Sequence, residues 1–401
     1  MKINFAKHFY PAVILLIIFS CTREPEIIPL EGIELTIPSN VIEVGESDTV
    51  NLVTSPENAS PIEYIWETSD PSIATVSTEG VITGISPGIV TVTAATGDEK
   101  WEASCSVNII RWSYYEMENF SSLRPIAIGF YDKVWCGGKE LVSIISTTTN
   151  NSKVVHKNIT NVIDIIVKDK TKLWIGTIAS GIWNYDGKNW TNYSEDNSGL
   201  TNHSVIPRSM EVDLEGSLWF GTVKGGMGSG VTMFDGTTWY TFNSDDGLVH
   251  NNVMDITVDA NNTLWFVTNK GISAYDGVNW VSYTAENTGI DIIPQVFSMA
   301  IDHQNNKWFG SYRGVLKFDD NEWTLYNSTN SVLKWSAVNA ITVDEEDNKW
   351  FACEGCVLKF DGSTWSRFSS YGKVYNVRDI AVDSEGNKWL ATTYGVVKLE
   401  D

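Results

Sequence analysis

Positive charge is scarce in this chain: 28 Lys and Arg stand against 50 Asp and Glu, a net charge of -22. A surface of that sign repels phosphate backbones and anionic headgroups, so nucleic acid is excluded as an expected partner. Histidine is scarcer still, with five residues and no pair at metal-ligand spacing. No nucleophile elbow, phosphate-cradling loop, metalloprotease helix or dinucleotide fingerprint occurs, so the sequence offers no catalytic residue, no metal site and no cofactor. The Asp/Asn-rich turns, such as Asp344 to Asn348, lack the central Gly and terminal Glu of a calcium loop and read as turn formers. Carboxylates are too numerous for a general-acid pair to be singled out, which disfavours a glycan hydrolase or lyase but keeps it as the alternative. Long apolar runs are also lacking, apart from Phe9 to Phe19, which is too short to span a bilayer.

That run follows Lys2 and Lys7 and ends at Ser20-Cys21, the layout of a secretory signal. Ile18-Phe19-Ser20-Cys21 resembles the lipobox of bacterial lipoproteins, with Ile18 where Leu is usual. The resemblance implies cleavage after residue 20, a lipid on Cys21 and a polar tether over residues 21–27. The expected location is that of a Bacteroidetes-type outer-membrane lipoprotein, facing the cell surface or the periplasm.

Residues 28–109 show short β-rich runs broken by Gly, Pro, Ser and Asn about every ten residues, the pattern of an antiparallel sandwich. Gly80 and Gly84 flank one short strand, and Gly88 turns into the next, Ile89 to Ala94. The segment closely resembles the group 2 bacterial immunoglobulin-like domain at Gly45, Trp66, Ala74, Val76, Gly80, Val81, Gly84, Gly88 and Val107. In that family most copies are stalks, and Trp66 is expected in the sandwich core.

From residue 110 to 401 a tryptophan recurs at 135, 174, 219, 265, 308, 350 and 389, spacings of 39, 45, 46, 43, 42 and 39 residues. Periods of roughly 40 to 50 residues mark radially repeated β structure. Residues 253 to 283 hold four alternating runs between turns, one four-stranded antiparallel blade. Asp213, Asp259, Asp302, Asp344 and Asp383 each precede a repeat Trp by six residues and close the first strand into a tight turn. A second set, Trp190, Trp239, Trp280, Trp323 and Trp365, follows Asp-Gly hairpins in four cases and Asp319-Asp320 in the fifth. The last repeat stops at Asp401 without a fourth strand, and Trp112-Ser113-Tyr114-Tyr115 supplies the missing signature. The expected fold is therefore all-β: an immunoglobulin-like sandwich followed by a seven-bladed β-propeller closed by its N- and C-terminal strands, with a degenerate first blade.

These repeats resemble the two-component-regulator propeller family, through the Asp-to-Trp turn, Trp219 to Thr222, and the approaches Gly199-Leu200-Thr201-Asn202 and Gly247-Leu248. In that family the propeller is often the sensor of a hybrid histidine kinase that detects oligosaccharides. No kinase segment follows here, so signalling by this chain alone is not expected.

In such a blade the Asp turns and Asp-Gly hairpins share one end and read as structural punctuation. The other end collects the irregular segments, where binding on a rigid scaffold usually lives. It offers Lys224 in a Gly-rich insertion, Tyr312-Arg313, Glu354 and Tyr394 at hairpins, and His203, Trp335 and Tyr375 at blade crossings. Trp335 either stacks on a sugar face or tucks beneath its own loop. Tyr312, Arg313 and Tyr394 occupy one repeat position and either converge on the ring mouth or stand as solvated hairpin tips. Cys353 and Cys356 flank one hairpin as a thiol pair or a small disulfide; Cys105 and Cys136 read as buried small hydrophobes. The function expected is non-catalytic binding of a glycan or an envelope protein by a lipid-anchored propeller on a stalk. The alternatives are the hydrolase or lyase and a purely structural or adhesive protein.

Overall fold

A computed structural model describes residues 27–116, 125–129, 133–145, 152–167, 172–200, 204–225, 227–291, 293–333, 337–369, 374, 376–393 and 395–401. The regular structure of the described residues is β apart from one four-residue α-helix, Ala285–Thr288, and one 3-10 turn, Ile293–Gln295.

The N-terminal part buries one apolar cluster between short sheets: Leu35, Ile42, Val50, Ala74, Ile82, Val90, Val92, Val107 and Ile109, with Trp66 packed against it. Gly80, at φ 76°, is needed there twice over, because an added Cβ would lie 2.8 Å from the Trp66 ring. The sandwich ends in a 15-residue strand, Glu102–Glu116, which runs through the expected boundary at 109/110 without a break.

Among the described residues, six four-stranded antiparallel sheets follow the repeats, and the strands of the seventh repeat join a seven-stranded sheet shared with the sandwich. Their first strands are Ile126–Ile128 (sheet I), Val162–Val167 (II), Ser204–Val212 (III), Val253–Val258 (IV), Val296–Ile301 (V), Val338–Val343 (VI) and Asp379–Val382 (VII). Sheet VII takes its fourth strand from the far end of the sandwich strand, with Trp112 opposite Leu399 and Tyr115 opposite Val396. Residues Glu102 to Ile109 of that strand still pair with Gly88 to Ala95 of the sandwich, so one strand belongs to both units.

Each core cluster spans two adjacent sheets. Trp265, Val267 and Ile272 of sheet IV pack on Met299, Phe309 and Leu316 of sheet V, and Trp389, Ala391 and Val396 of sheet VII pack on Ile126, Val134 and Cys136 of sheet I. Trp308, Trp350 and Trp389 are fully buried, each contributing about 1.5–3 kcal/mol through apolar burial. The first strands of successive sheets touch in series from I to VII, and the strand of VII touches that of I.

The repeated Asp does more than turn the chain. Asp302 Oδ1 accepts the backbone N–H of Gln304 and Asn306, while Oδ2 accepts the Trp308 indole N–H at 2.8 Å. The same indole bond recurs from Trp219, Trp265, Trp350 and Trp389 to their own Asp. The Lys before the Trp ties one sheet to the previous one. Lys307, 1% exposed, lies 3.7 Å from Asp259 and 4.9 Å over the Trp265 ring, and Lys349 lies 3.5 Å from Asp302 and 5.7 Å from the Trp308 ring. Lys388 sits 3.9 Å over Trp350 and pairs with Asp401. A buried ammonium needs both a carboxylate and a polarisable face to offset lost hydration.

Candidate functional site

The irregular end of the sheets holds a cavity of about 400 Å³, lined by Ile206, Arg208, Asn252, Met254, Phe297, Tyr312, Asn339 and Arg378. These residues come from five sheets, III to VII. A bulge in the first strands of sheets III to VI, and the residue just before the first strand of sheet VII, put them there. In sheet IV, Val253 pairs with Thr268 and Asp255 with Val267, which leaves Met254 as the extra residue. The same slip isolates Phe297 between Val296 and Ser298, and Asn339 between Val338 and Ala340. A bulge turns its extra side chain away from the ladder, here toward the space shared by the sheets. In sheet III the irregularity is longer, from Val205 to Met210, and carries both Ile206 and Arg208. Arg208 adopts φ 60° and its guanidinium donates to the backbone carbonyls of Asn339 and Arg378, bridging sheet III to sheets VI and VII.

Beneath this lining the next residue of the motif ties neighbouring sheets together. Asp164 accepts the N–H of Met210 at 3.0 Å, Asp255 that of Met299 at 2.8 Å, and Asp379 that of Ile126 at 3.0 Å. Ser298 donates to the carbonyl of Val338. Burial pushes the Asp164 carboxyl up to about 8, with the Asp379 charge adding to it; Asp255 and Asp379 are also raised by burial, while Arg208 pulls all three back toward ionisation.

Among the described residues, Tyr312 is the one singled out by sequence that lines the cavity; it is 66% exposed, with its ring centroid 4.6 Å from that of buried Phe297. Arg313, beside it, is drawn out to an exposed pair with Asp291 at 3.1 Å and is not among the lining residues. Lys224 and Glu354 are exposed at their hairpins and do not line the cavity either. The hairpin of Lys224 acts through packing instead: an added Cβ on Gly228 would stand 2.3 Å from the carbonyl of Asn251 and 2.4 Å from Cα of Asn252, a lining residue. Cys353 and Cys356 face each other across their hairpin as buried, unbridged thiols in this structure. Cys136 is buried and Cys105 half-buried. Cys21, His203, Trp335, Tyr375 and Tyr394 lie outside the described residues.

Sequence reasoning missed Arg208, Met254, Phe297, Asn339 and Arg378. The signal was present in the segments Val162-Ile163-Asp164-Ile165, Val253-Met254-Asp255-Ile256, Val296-Phe297-Ser298-Met299, Val338-Asn339-Ala340-Ile341 and Val377-Arg378-Asp379-Ile380. The first and last positions of each are apolar, the third is small or acidic, and the second varies freely. In the first four segments that varying position is the bulged residue, and in the last it is Arg378, just before the strand. Among the described lining residues there is no carboxylate, imidazole or thiol, and no group of three His, Cys, Asp or Glu suited to a metal ion occurs among the described residues. The described lining can bind through guanidinium, amide and aromatic groups.

Residues 29–107 match the family described as bacterial Ig-like domain (group 2). An uncharacterised protein of Clostridium acetobutylicum is 42% identical over 69 residues, 17% of this chain and 7% of that protein. Among solved structures, the extracellular domain of a putative one-component system from B. thetaiotaomicron matches 72% of this chain at TM-score 0.58 and 16% identity; the match spans 39% of that chain. A streptogramin B lyase matches 72% of this chain and 97% of its own at TM-score 0.61 and 16% identity. PorZ, a surface component of the type-IX secretion system of Porphyromonas gingivalis, matches 91% of this chain and 57% of its own at TM-score 0.54 and 15% identity. The chain thus spans less than half of the first two relatives, and at these identities the likeness to solved structures is one of fold.

Proposed function

We propose that this chain, which begins with a group 2 bacterial immunoglobulin-like domain, is a non-catalytic binding protein of the cell envelope. Its repeats form a seven-bladed propeller whose mouth takes a glycan. The observation that carries this reading is the cavity of about 400 Å³ at the bulged ends of the first strands, walled by five sheets and lacking acid–base groups among its described lining residues. Closure of the ring is supported by the pairing of Arg111–Glu116 with Gly395–Glu400 and by the Asp379 bond to Ile126 of sheet I. An open ring would leave the edge of the last sheet and its apolar face to solvent. Domain limits of 28–109 and 110–401 serve this reading, with the shared strand Glu102–Glu116 as a stiff joint between stalk and propeller. A lipid on Cys21 would hold the stalk at the outer membrane, as the signal sequence and the extracellular origin of one structural relative support.

The full chain on an array of bacterial and plant saccharides tests the binding reading. Retention of a saccharide without product release, lost in Y312A, is the expected result. New reducing ends or unsaturated sugars would favour the hydrolase or lyase instead, and no saccharide retained at all would favour the structural or adhesive reading. Intact mass of the membrane-extracted protein tests the anchor: a diacyl or triacyl increment on a chain beginning at Cys21 supports it, and an unmodified Cys21 removes it.

A further inference from the structure

Within the binding reading above, on which this inference rests, the wall of the cavity also specifies a ligand charge. Arg378 stands exposed at the lining, and no hydrogen bond or ion pair to its guanidinium is found among the described residues. Arg208 lies beside the carbonyl of Arg378, held by two backbone oxygens that fix its plane. Both arginines line one cavity in a chain of net charge -22. The amide of Asn252 makes no side-chain hydrogen bond among the described residues, whereas Asn339 spends one N–H on the carbonyl of Val377. Lys224 and Lys270 stand exposed at the hairpins between second and third strands, while Glu354 is the acidic residue at the equivalent hairpin of sheet VI and Arg313 is paired with Asp291. Acidic residues on this end, Glu195, Asp196, Asp245, Asp246 and Glu286, fall after the fourth strands, at the outer rim. The charged residues of the described lining are thus Arg208 and Arg378, both basic, which favours an anion at the centre despite the overall sign.

We propose that the mouth recognises an acidic saccharide, with its carboxylate or sulfate on Arg378 beside the fixed Arg208, one sugar ring against the exposed face of Tyr312, and hydroxyls on the Asn252 amide. Arg is suited to the task because its planar fork matches a carboxylate or sulfate edge with two parallel N–H donors. A planar amide can serve a ring hydroxyl as donor and acceptor, and an aromatic held by a buried neighbour, as Tyr312 is by Phe297, gives a sugar face a platform at low entropic cost. A peptide terminus is the less suitable occupant, since a peptide would extend along a strand edge and the carbonyls of Asn339 and Arg378 are already taken by Arg208.

The test uses the full chain in calorimetric titrations with oligogalacturonate, alginate, heparosan and chondroitin sulfate oligosaccharides, each beside its carboxyl-reduced or desulfated counterpart, and with a hexapeptide bearing a free C-terminal carboxylate. At least one acidic saccharide should bind, its neutral counterpart at least roughly ten-fold more weakly, as expected for loss of a charge-assisted hydrogen bond. R378Q should weaken the acidic saccharide by a similar factor and leave the neutral one unchanged. R313Q, which alters an exposed Arg outside the lining, should match the wild type for both, and Y312A should weaken both. Equal affinity for acidic and neutral forms, indifference to R378Q, or binding of the peptide alone would overturn the proposal. If a neutral saccharide binds and is lost in Y312A while R378Q has no effect, the glycan-binding reading survives and only the acidic specificity falls; if nothing binds, both fall.

Discussion

Replacing Asp302 by Ala should destabilise the protein far more than a typical surface change. The carboxylate is buried and serves four donors: the backbone N–H of Gln304 and Asn306, the Asn306 side-chain amide, and the Trp308 indole at 2.8 Å. Gln304 and Asn306 are close enough to the surface for water to replace the lost acceptor. Trp308 is 2% exposed and has no such recourse, and Lys349 loses a carboxylate at 3.5 Å while keeping Asp347 at 2.9 Å. An orphaned buried donor costs roughly 1–3 kcal/mol, so the indole together with the weakened Lys349 pair should bring the loss to about 3–5 kcal/mol. Urea unfolding followed by tryptophan fluorescence would read it as a lowered midpoint at unchanged slope. D319A, which removes an exposed turn acceptor for the N–H of Asn321 and Glu322, should cost about 1 kcal/mol, the scale of a lost local cap. In the double variant D302A/W308F the indole donor is gone, so the combined loss should fall short of the sum of the single losses by about 1 kcal/mol or more. A D302A protein within about 0.5 kcal/mol of wild type, the range of an ordinary surface substitution, would refute the role assigned to the repeated Asp–Trp pair.

Stability should fall as pH rises from about 5 to 8: burial raises Asp164 to about 8 and Glu211 to about 7, so the folded chain holds protons that the unfolded chain releases above its ordinary carboxylate range near 4. D164N should flatten that slope; a slope unchanged in D164N would show that Asp164 is ionised throughout. G228A should lower both the thermal midpoint and the saccharide affinity, because the new methyl group would meet backbone atoms of Asn251 and Asn252 at 2.3–2.5 Å and force that segment to shift; a midpoint and affinity equal to wild type would detach that hairpin from the site. Cys353 and Cys356 should resist alkylation in the native protein and react as two thiols after denaturation without reductant, whereas no reaction in denaturant would mean they are bridged.

Much of the scaffold was legible because it is periodic. The Trp spacing gave the sheets, the Asp six residues upstream gave the turns, and Trp112 to Tyr115 gave the fourth strand of the last sheet. Periodicity finds what repeats, and it is silent where repeats differ. Met254, Phe297, Asn339 and Arg378 share one position with no common chemistry, so a search for similarity passes over them. Arg208 is harder still, because the long irregularity from Val205 to Met210 breaks the register on which any alignment of repeats depends. Lys307, Lys349 and Lys388 look like solvated charges in sequence; only packing reveals that each ammonium lies over the preceding sheet's tryptophan. Tyr312 was found because it sits on an irregular hairpin, but Arg313, in the same hairpin, has its own partner in Asp291.

The central claim is that ligand enters the mouth formed by the bulged first strands. Amide hydrogen exchange of the full chain, with and without a saturating saccharide identified by the array, reads this position directly. Protection is expected in segments 204–212, 252–256, 296–299, 311–314 and 376–380, with the sandwich and the Asp-Gly hairpins unchanged. Protection confined to the sandwich, or to the Asp-turn end of the sheets, would contradict it.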